Sequence, residues 1–338
     1  MKQEDSMKRK IGSLLIFTLM TGLILTGCSG KESSNTKVTL NEVAHSIFYA
    51  PQYVAIEKGY FEEEGIDLDL VTGFGADKVL TSLISGESDI GFMGGESSLY
   101  AYLEGANDVI TNFAQLTQRA GNFLVSREKE PDFKWEDIKG KNVLGGRNGG
   151  MPEMVFEYVL KQNDIDPSKD LDINQSIDFG STAAAFSGGN GDYTVEFEPS
   201  ATALEEEGDG YVVASLGTDS GYVPYTSYSA KSSYIKEHPE IIQSFTNALQ
   251  KGMDYVQSHS PEEIARVIAP QFKETELETI TTIVSRYYDQ ETWKSDLIYE
   301  KESFELLQDI LESSGELSKR APYDELVTTK YAKKAVSN

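Results

Sequence analysis

His45-Ser46-Ile47-Phe48-Tyr49-Ala50-Pro51-Gln52-Tyr53-Val54-Ala55-Ile56-Glu57-Lys58-Gly59-Tyr60-Phe61 reads as an aromatic loop leaving a strand, then a short amphipathic helix with a glycine brake. Residues 37–43 alternate ahead of it as a strand. Residues 52–63 place Tyr53, Ile56 and Tyr60 on one helical face, and Gly65 ends the helix. Residues 66–71 then alternate apolar and acidic side chains, as a half-buried strand does. A strand–loop–helix–strand unit sets its loop at the carboxyl end of the first strand, where open α/β sheets hold ligands. Phe48 and Tyr49 at the loop tip, with His45 behind them, are therefore candidates for one wall of a small-molecule site. They offer flat aromatic faces and one hydroxyl. Neighbours in an extended chain point to opposite sides, so one of the two is expected to be core.

The same pattern continues downstream. Residues 76–85 gather Val79, Leu80, Leu83 and Ile84 on one face and stop at Gly86. Residues 89–93 form a buried strand that runs into Gly94-Gly95-Glu96-Ser97-Ser98, the start of a helix reaching Leu103, and residues 109–116 are strand again. This alternation predicts a parallel-type α/β layer domain. Residues 117–121 read as a crossover into a second α/β region. Its strands fall at 122–126, 142–145, 171–177, 193–197 and 211–214, with helices after Gly150 and over 199–207 and a glycine-rich turn at 186–192. Residues 217–224 read as the return crossover. From His238 the texture changes to long helices over 240–257, 274–288 and 302–313, the last capped by Gly315. No internal repeat is visible.

The N-terminal residues 1–27 read as a signal segment: Lys8, Arg9 and Lys10 precede an apolar run too short to span a bilayer. Leu25-Thr26-Gly27-Cys28 has the form of a bacterial lipoprotein signal, so Cys28 is expected to carry lipid. A polar tether over 28–37 follows. Cys28 is the only cysteine, which excludes a disulfide framework. About 300 residues remain, enough for two domains. The reading assigns 38–117 with 224–338 to a first, discontinuous lobe and 118–223 to a second. From Cys28 on, 26 basic residues face 53 acidic ones, a net charge near −27. Such a surface repels nucleic acid and anionic lipid. His45, His238 and His259 are scattered, so no metal site and no cofactor are expected.

Three sets of residues carry a resemblance. Tyr49 to Ala55, Lys58 to Ile66 and Gly86 to Gly91 resemble the periplasmic solute-binding proteins of nitrate/sulfonate/taurine-type ABC importers, a family that includes binders of thiamin-pyrimidine precursors. Gly145 to Glu153 and Phe197-Glu198-Pro199 match the same family. The resemblance spans roughly residues 38–315. It implies a type II periplasmic-binding-protein fold: two α/β lobes, two crossovers, and a ligand clamped in the cleft between them. It also implies a lipid-anchored, extracytoplasmic monomer that serves a permease and an ATPase subunit. Fungal thiamin-pyrimidine synthases of the same superfamily are single-turnover enzymes with a cysteine-rich motif and iron. That chemistry is not expected in a chain with no cysteine after Cys28.

Against that background, Gly95 and Glu96 sit where a strand meets a helix N-terminus, an oxyanion cradle in sulfonate and nitrate binders. A carboxylate in the first turn discourages an anion and favours a ligand with N–H donors, and it also fits simple capping. Arg147, in a glycine-rich turn, suits a carboxylate or phosphate, and equally an inter-lobe ion pair. Glu196 lines up with the position from which pyrimidine binders hydrogen-bond their ring, while Glu198-Pro199 reads as a helix cap. Gln115, Tyr222 and Tyr225 complete the expected cleft. Related pyrimidine binders often carry histidine where Tyr49 stands, and many relatives carry tryptophan at Phe197; both differ here. Nucleophile-elbow, zincin and Walker motifs are absent from the sequence. The expected ligand is thus a heteroaromatic amine such as a thiamin-pyrimidine precursor. An alkanesulfonate, taurine or nitrate-type anion is the alternative, and an enzyme acting on such a compound is an alternative of another class.

Overall fold

β1 (Thr36–Glu42) buries Val38, Leu40 and Glu42 on one face and pairs in parallel with β2 (Ile66–Thr72) and β3 (Ile90–Met93). The computed structural model describes residues 35–177 and 180–337; the signal segment, Cys28 and the tether up to residue 34 lie outside the described residues. Thr36 and Lys37, read as the end of the tether, already belong to β1.

Between β1 and β2 the expected single helix is broken in two. Ile47–Tyr49 forms a 3-10 turn, Ala50–Glu57 a helix, and Gly59 (φ 72°) interrupts the chain before a last turn over Tyr60–Glu63. Only glycine adopts that left-handed conformation without penalty. Phe48 and Tyr49 therefore lie on a helical turn and not on extended chain. The helix over Ala76–Ser85, capped by Gly86, is as read.

Neither sheet is wholly parallel, and this corrects the parallel-layer expectation. The first has the order β2-β1-β3-β10-β4, with β4 at Ile110–Thr117 and β10 at Thr226–Lys231. The second has the order β7-β6-β8-β5-β9. Its strands are β5 (Asn122–Ser126), β6 (Asn142–Leu144), β7 (Asp172–Asn174), β8 (Tyr193–Phe197) and β9 (Tyr211–Ser215). β10 runs antiparallel to β3 and β4, and β5 antiparallel to β8 and β9. The two orders are one topology drawn twice. In each sheet the antiparallel strand is the one on which the chain arrives from the other sheet. β10 escaped the sequence reading because Thr226-Ser227-Tyr228-Ser229 has turn-like composition. Its hydroxyls are instead internal: Ser227 donates to Asn112 Oδ1 (2.7 Å), and Tyr228 stacks on Phe92 at 4.1 Å.

Helices over Thr182–Ser187, Pro261–Ile268 and Lys330–Val336 were also not foreseen, being short or following proline. The long C-terminal helices are as their periodicity predicts. Pro239–Ser258 buries Ile242, Phe245, Leu249, Met253 and Val256. Leu277–Asp289 packs beside the Ile47–Tyr49 turn, and Lys301–Ser314 packs on the second sheet's Met151–Gln162 helix.

Two helices approach closely at Gly252, where a Cβ would stand 2.3 Å from the carbonyl oxygen of Pro51 and 3.2 Å from Ala55 Cβ. Alanine gains about 1 kcal/mol of helix propensity over glycine, but overpacking against backbone costs about 1–3 kcal/mol. Gly252→Ala is therefore expected to lower stability by up to about 2 kcal/mol in urea unfolding. A stabilised variant would show that the two helices separate freely.

Candidate functional site

Behind the aromatic turn lies a carboxylate that sequence reasoning missed. Glu42 is fully buried at the end of β1. Its Oε2 accepts from Gln52 Nε2 (2.7 Å) and Tyr53 Oη (2.8 Å); its Oε1 accepts from Thr72 Oγ1 (3.1 Å) and His45 Nδ1 (2.8 Å). The other ring nitrogen of His45 faces the carbonyl of Gln271 at 3.0 Å. Two acceptors facing both nitrogens are satisfied together only by the doubly protonated ring. The hydrogen bond to Glu42 accordingly holds the His45 pKa above its ordinary value. Gln52 passes the network on, its Oε1 accepting from Tyr228 Oη at 2.8 Å. The signal was present in the sequence, because Glu42 falls in register with Val38 and Leu40 on the apolar face.

This network fixes the turn that carries Phe48 and Tyr49. Phe48 is wholly buried among the rings of Tyr49 (5.2 Å), Phe197 (5.8 Å), Tyr225 (5.6 Å) and Tyr287 (5.2 Å). A Cβ at Gly121 would stand 2.5 Å from its ring, so the crossover into β5 passes directly over it. Trp293 Nε1 donates to its carbonyl at 2.8 Å. Tyr49 turns the other way, its ring edge-on to Phe92 at 4.5 Å. Burial pushes its phenol up, and the charges of Glu42 and Glu96 push it further. Tyr225 is 3% exposed, and its hydroxyl has no partner among the described residues.

Glu96 opens the Glu96–Leu103 helix and is 3% exposed. Its carboxylate lies over Gly94, where a Cβ would be 2.0 Å from Oε2, and accepts from its own backbone N–H. Oε2 has no hydrogen-bond donor among the described residues. Burial raises the carboxyl to about 7, opposed by the hydrogen bond from its own backbone N–H and then by the Arg147 charge. The glycine pair thus leaves room for the chain's own groups: Glu96 fills the space at Gly94, and the Tyr299 hydroxyl would lie 2.8 Å from a Cβ at Gly95. The second glycine-rich turn is filled in the same way. Gly149 N–H donates to Glu153 Oε2 at 3.2 Å, and Gln175 donates to Glu153 Oε1 at 2.7 Å. Burial and the neighbouring Glu157 push Glu153 up to about 8.

Several expected positions lie elsewhere. Arg147 pairs with Asp77 at 3.1 Å, both side chains 52% exposed, a rim contact between the two lobes. Tyr222 is 54% exposed; its ring lies under Arg119 at 4.1 Å and its hydroxyl donates to Glu291. It belongs to the hinge, where Gln290 donates to the Ala120 carbonyl at 3.1 Å. Glu196 is on the face of β8 opposite Phe197, accepting from Thr194 Oγ1 at 2.6 Å, and burial raises it to about 7. Gln115 is buried in β4, its Nε2 donating to the Thr117 carbonyl at 2.9 Å. Glu198 caps the next helix, as read: Oε2 accepts from Thr202 N at 2.9 Å and Oε1 from Arg286 at 2.8 Å. Phe48, Tyr49, Gly95, Glu96 and Tyr225 remain together. Tyr299 joins them from a segment far along the chain from Glu96. A surface hollow of about 480 Å³ beside Ile84, Glu104 and Lys231 lies at the other end of the Glu96–Leu103 helix and shares none of these residues. Among the described residues no cluster of three or more His, Cys, Asp or Glu suits a metal ion, and no helix is long and apolar enough to cross a membrane.

Comparison with known proteins agrees with the fold described. YtlA of Bacillus subtilis (strain 168), provisionally named a binding protein, is 45% identical over 97% of this chain and 98% of its own. Among solved structures, the alkanesulfonate-binding protein SsuA of Xanthomonas axonopodis pv. citri, bound to MOPS, superposes with a TM-score of 0.71 at 16% identity. That match covers 87% of this chain and 98% of SsuA. The periplasmic nitrate-binding protein NrtA of Synechocystis PCC 6803 gives a TM-score of 0.73 at 14% identity, covering 89% of this chain and 88% of NrtA. These likenesses support the two-lobe periplasmic-binding-protein fold. The sequence pattern described as NMT1/THI5 like matches residues 47–264, and the chain belongs to that family.

Proposed function

We propose that this chain is the extracytoplasmic solute-binding component of an ABC importer. It captures a small heteroaromatic amine, such as a thiamin-pyrimidine precursor, and delivers it to a permease and its ATPase. Anchoring through lipid on Cys28 and a monomeric state belong to the same reading. The family membership and the fold support the receptor role. The names of SsuA and NrtA speak for an anion, as does the Arg147 charge near Glu96.

One observation carries the choice of ligand: a buried Glu96 carboxyl occupies its own helix N-terminus inside an aromatic cluster, with one oxygen unpartnered. An anion there meets a like charge in a medium of low dielectric. A flat base with an amine instead forms a pair of zero net charge, whichever member holds the proton. The aromatic rings of Tyr49 and Tyr225 supply the faces such a ligand prefers. These groups bind and orient; none forms a nucleophile–base pair with another, in keeping with a binding role and not an enzymatic one.

Calorimetric titration with a hydroxymethyl aminopyrimidine and with taurine tests the choice. Binding of the aminopyrimidine is expected, with affinity falling as pH rises above about 7, because the free protein's ionised Glu96 must then recover a proton. Tight taurine binding without aminopyrimidine binding would overturn the reading. Glu96→Gln separates function from stability. The folded carboxyl sits near 7 against about 4.3 unfolded, so stability is full below the lower value and is lost as pH rises through the upper one. The glutamine variant is expected to equal the parent in thermal unfolding at about pH 4 and to exceed it by up to about 3 kcal/mol at about pH 8, while binding aminopyrimidine at least about 10-fold more weakly.

A further inference from the structure

We infer that Tyr299 is a specificity-determining ligand residue, its hydroxyl joining Tyr225 Oη and the Glu96 carboxylate as a three-point hydrogen-bonding set for a flat ligand with at least two N–H donors. The inference rests on the reading of Glu96 above and extends it to the shape and hydrogen-bonding pattern of what is held.

Tyr299 is 1% exposed, its ring edge-on to Phe304 at 6.1 Å, and its backbone carbonyl accepts from Tyr323 Oη at 2.5 Å. Its own hydroxyl has no partner among the described residues. An unpaired buried hydroxyl is unfavourable beside the phenyl ring that would fill the same space, so packing alone is better served by phenylalanine. The oxygen stands 2.8 Å from the position of a Cβ on Gly95, where Leu307 is the next neighbour at 3.2 Å. It is thus set at the first turn of the Glu96 helix, close enough that the Glu96 charge acts on it, as it also acts on Tyr225.

The chain on either side explains how the hydroxyl is placed. Upstream, the segment follows β4, with Gln115 N donating to the Leu297 carbonyl at 2.9 Å. Downstream, the Lys301–Ser314 helix packs on the second lobe's Met151–Gln162 helix, with Lys161 Nζ donating to the Ser313 carbonyl at 2.6 Å. Tyr299 stands between these anchors, so both lobes determine its position. Tyr225 lies on the return crossover just before β10, with Phe48 and Phe197 as ring neighbours. The chemistry of the set is directional. An ionised Glu96 only accepts, while each phenol donates or accepts. An amine suits the carboxylate and one phenol, and a ring nitrogen or hydroxyl suits the other.

Tyr299→Phe removes one oxygen and no packing. Titration with the hydroxymethyl aminopyrimidine, together with thermal unfolding of the ligand-free protein, reads the two roles apart. The expected result is affinity lowered about 10-fold with Tm unchanged or raised by about 2 °C, and Tyr225→Phe behaving alike. Affinity within about twofold of the parent would overturn the inference while leaving the Glu96 reading intact. A Tm lowered by several degrees would also overturn it, since the hydroxyl would then have a structural partner. A parent protein that binds no aminopyrimidine defeats the Glu96 reading itself and the inference with it.

Discussion

The Glu96 carboxylate lies over Gly94 within reach of its own amide hydrogen, and its second oxygen finds no donor among the described residues. A helix N-terminus carries partial positive charge and unsatisfied N–H groups, which makes it a ready anion site. Here the chain's own acid takes that place. Glu153 does the same at the glycine-rich turn of the second lobe. Both glycine-rich turns that an anion receptor would use are occupied from within. Gly94 and Gly95 follow from this arrangement: side chains at either position would collide with the Glu96 carboxylate or the Tyr299 hydroxyl.

Buried carboxylates in this protein differ in how fully they are hydrogen-bonded, and the contrast supports the reading of Glu96 as a ligand group. Glu42 has four hydrogen-bond donors, among them a His45 whose two nitrogens both face acceptors. Glu198 has Arg286 and a helix amide. Both are satisfied and hold elements together. Glu96 has neither a cation in hydrogen-bonding contact nor a full set of donors, and burial drives its proton affinity up. A satisfied buried charge stabilises a geometry, whereas an unsatisfied one is tolerated where a ligand completes it.

Much of the fold was legible because local patterns agreed with the global one. The helix over Ala76–Ser85 and the long C-terminal helices have clean apolar stripes and glycine stops. The misses have physical causes. β10 is the fourth strand of its sheet but is built of serine and threonine, with the Thr226 and Ser227 hydroxyls bonded internally, so composition pointed to a turn. The repeated topology leaves no sequence repeat, since it resides in strand order alone. The strand-to-helix junction at Gly95 and Glu96 was legible from the glycine pair that follows a buried strand. Arg147 and Tyr222 were misplaced because a sequence does not say whether a polar residue beside a crossover faces the cleft or the rim. Tyr299 gave no local signal: what singles it out is a missing hydrogen bond, a property only of the assembled chain.

The two crossovers bind these observations together. β5 and β10 each enter a sheet from the other lobe and take the same interior place in it. The lobes are therefore joined through backbone ladders as well as through the packing of the Lys301–Ser314 helix on the Met151–Gln162 helix. The exposed Arg147–Asp77 pair adds little to this. Around the crossovers, Gly121 lies on the Phe48 ring, and Gly217 would place a Cβ 2.3 Å from the Ala120 carbonyl, so the connecting segments have no room to slip sideways. Gln290 ties them further, donating to Ala120 and accepting from Ser215 at 2.7 Å. Tyr225 follows one crossover, Phe48 underlies the other, and Tyr299 precedes the helix that reaches across. The unpartnered oxygens come from separate segments of chain, yet Glu96 follows β3, Tyr225 precedes β10, and Tyr299 lies on the C-terminal part of the same first lobe. The set is thus held within one lobe, and closure of the other lobe covers it without having to assemble it.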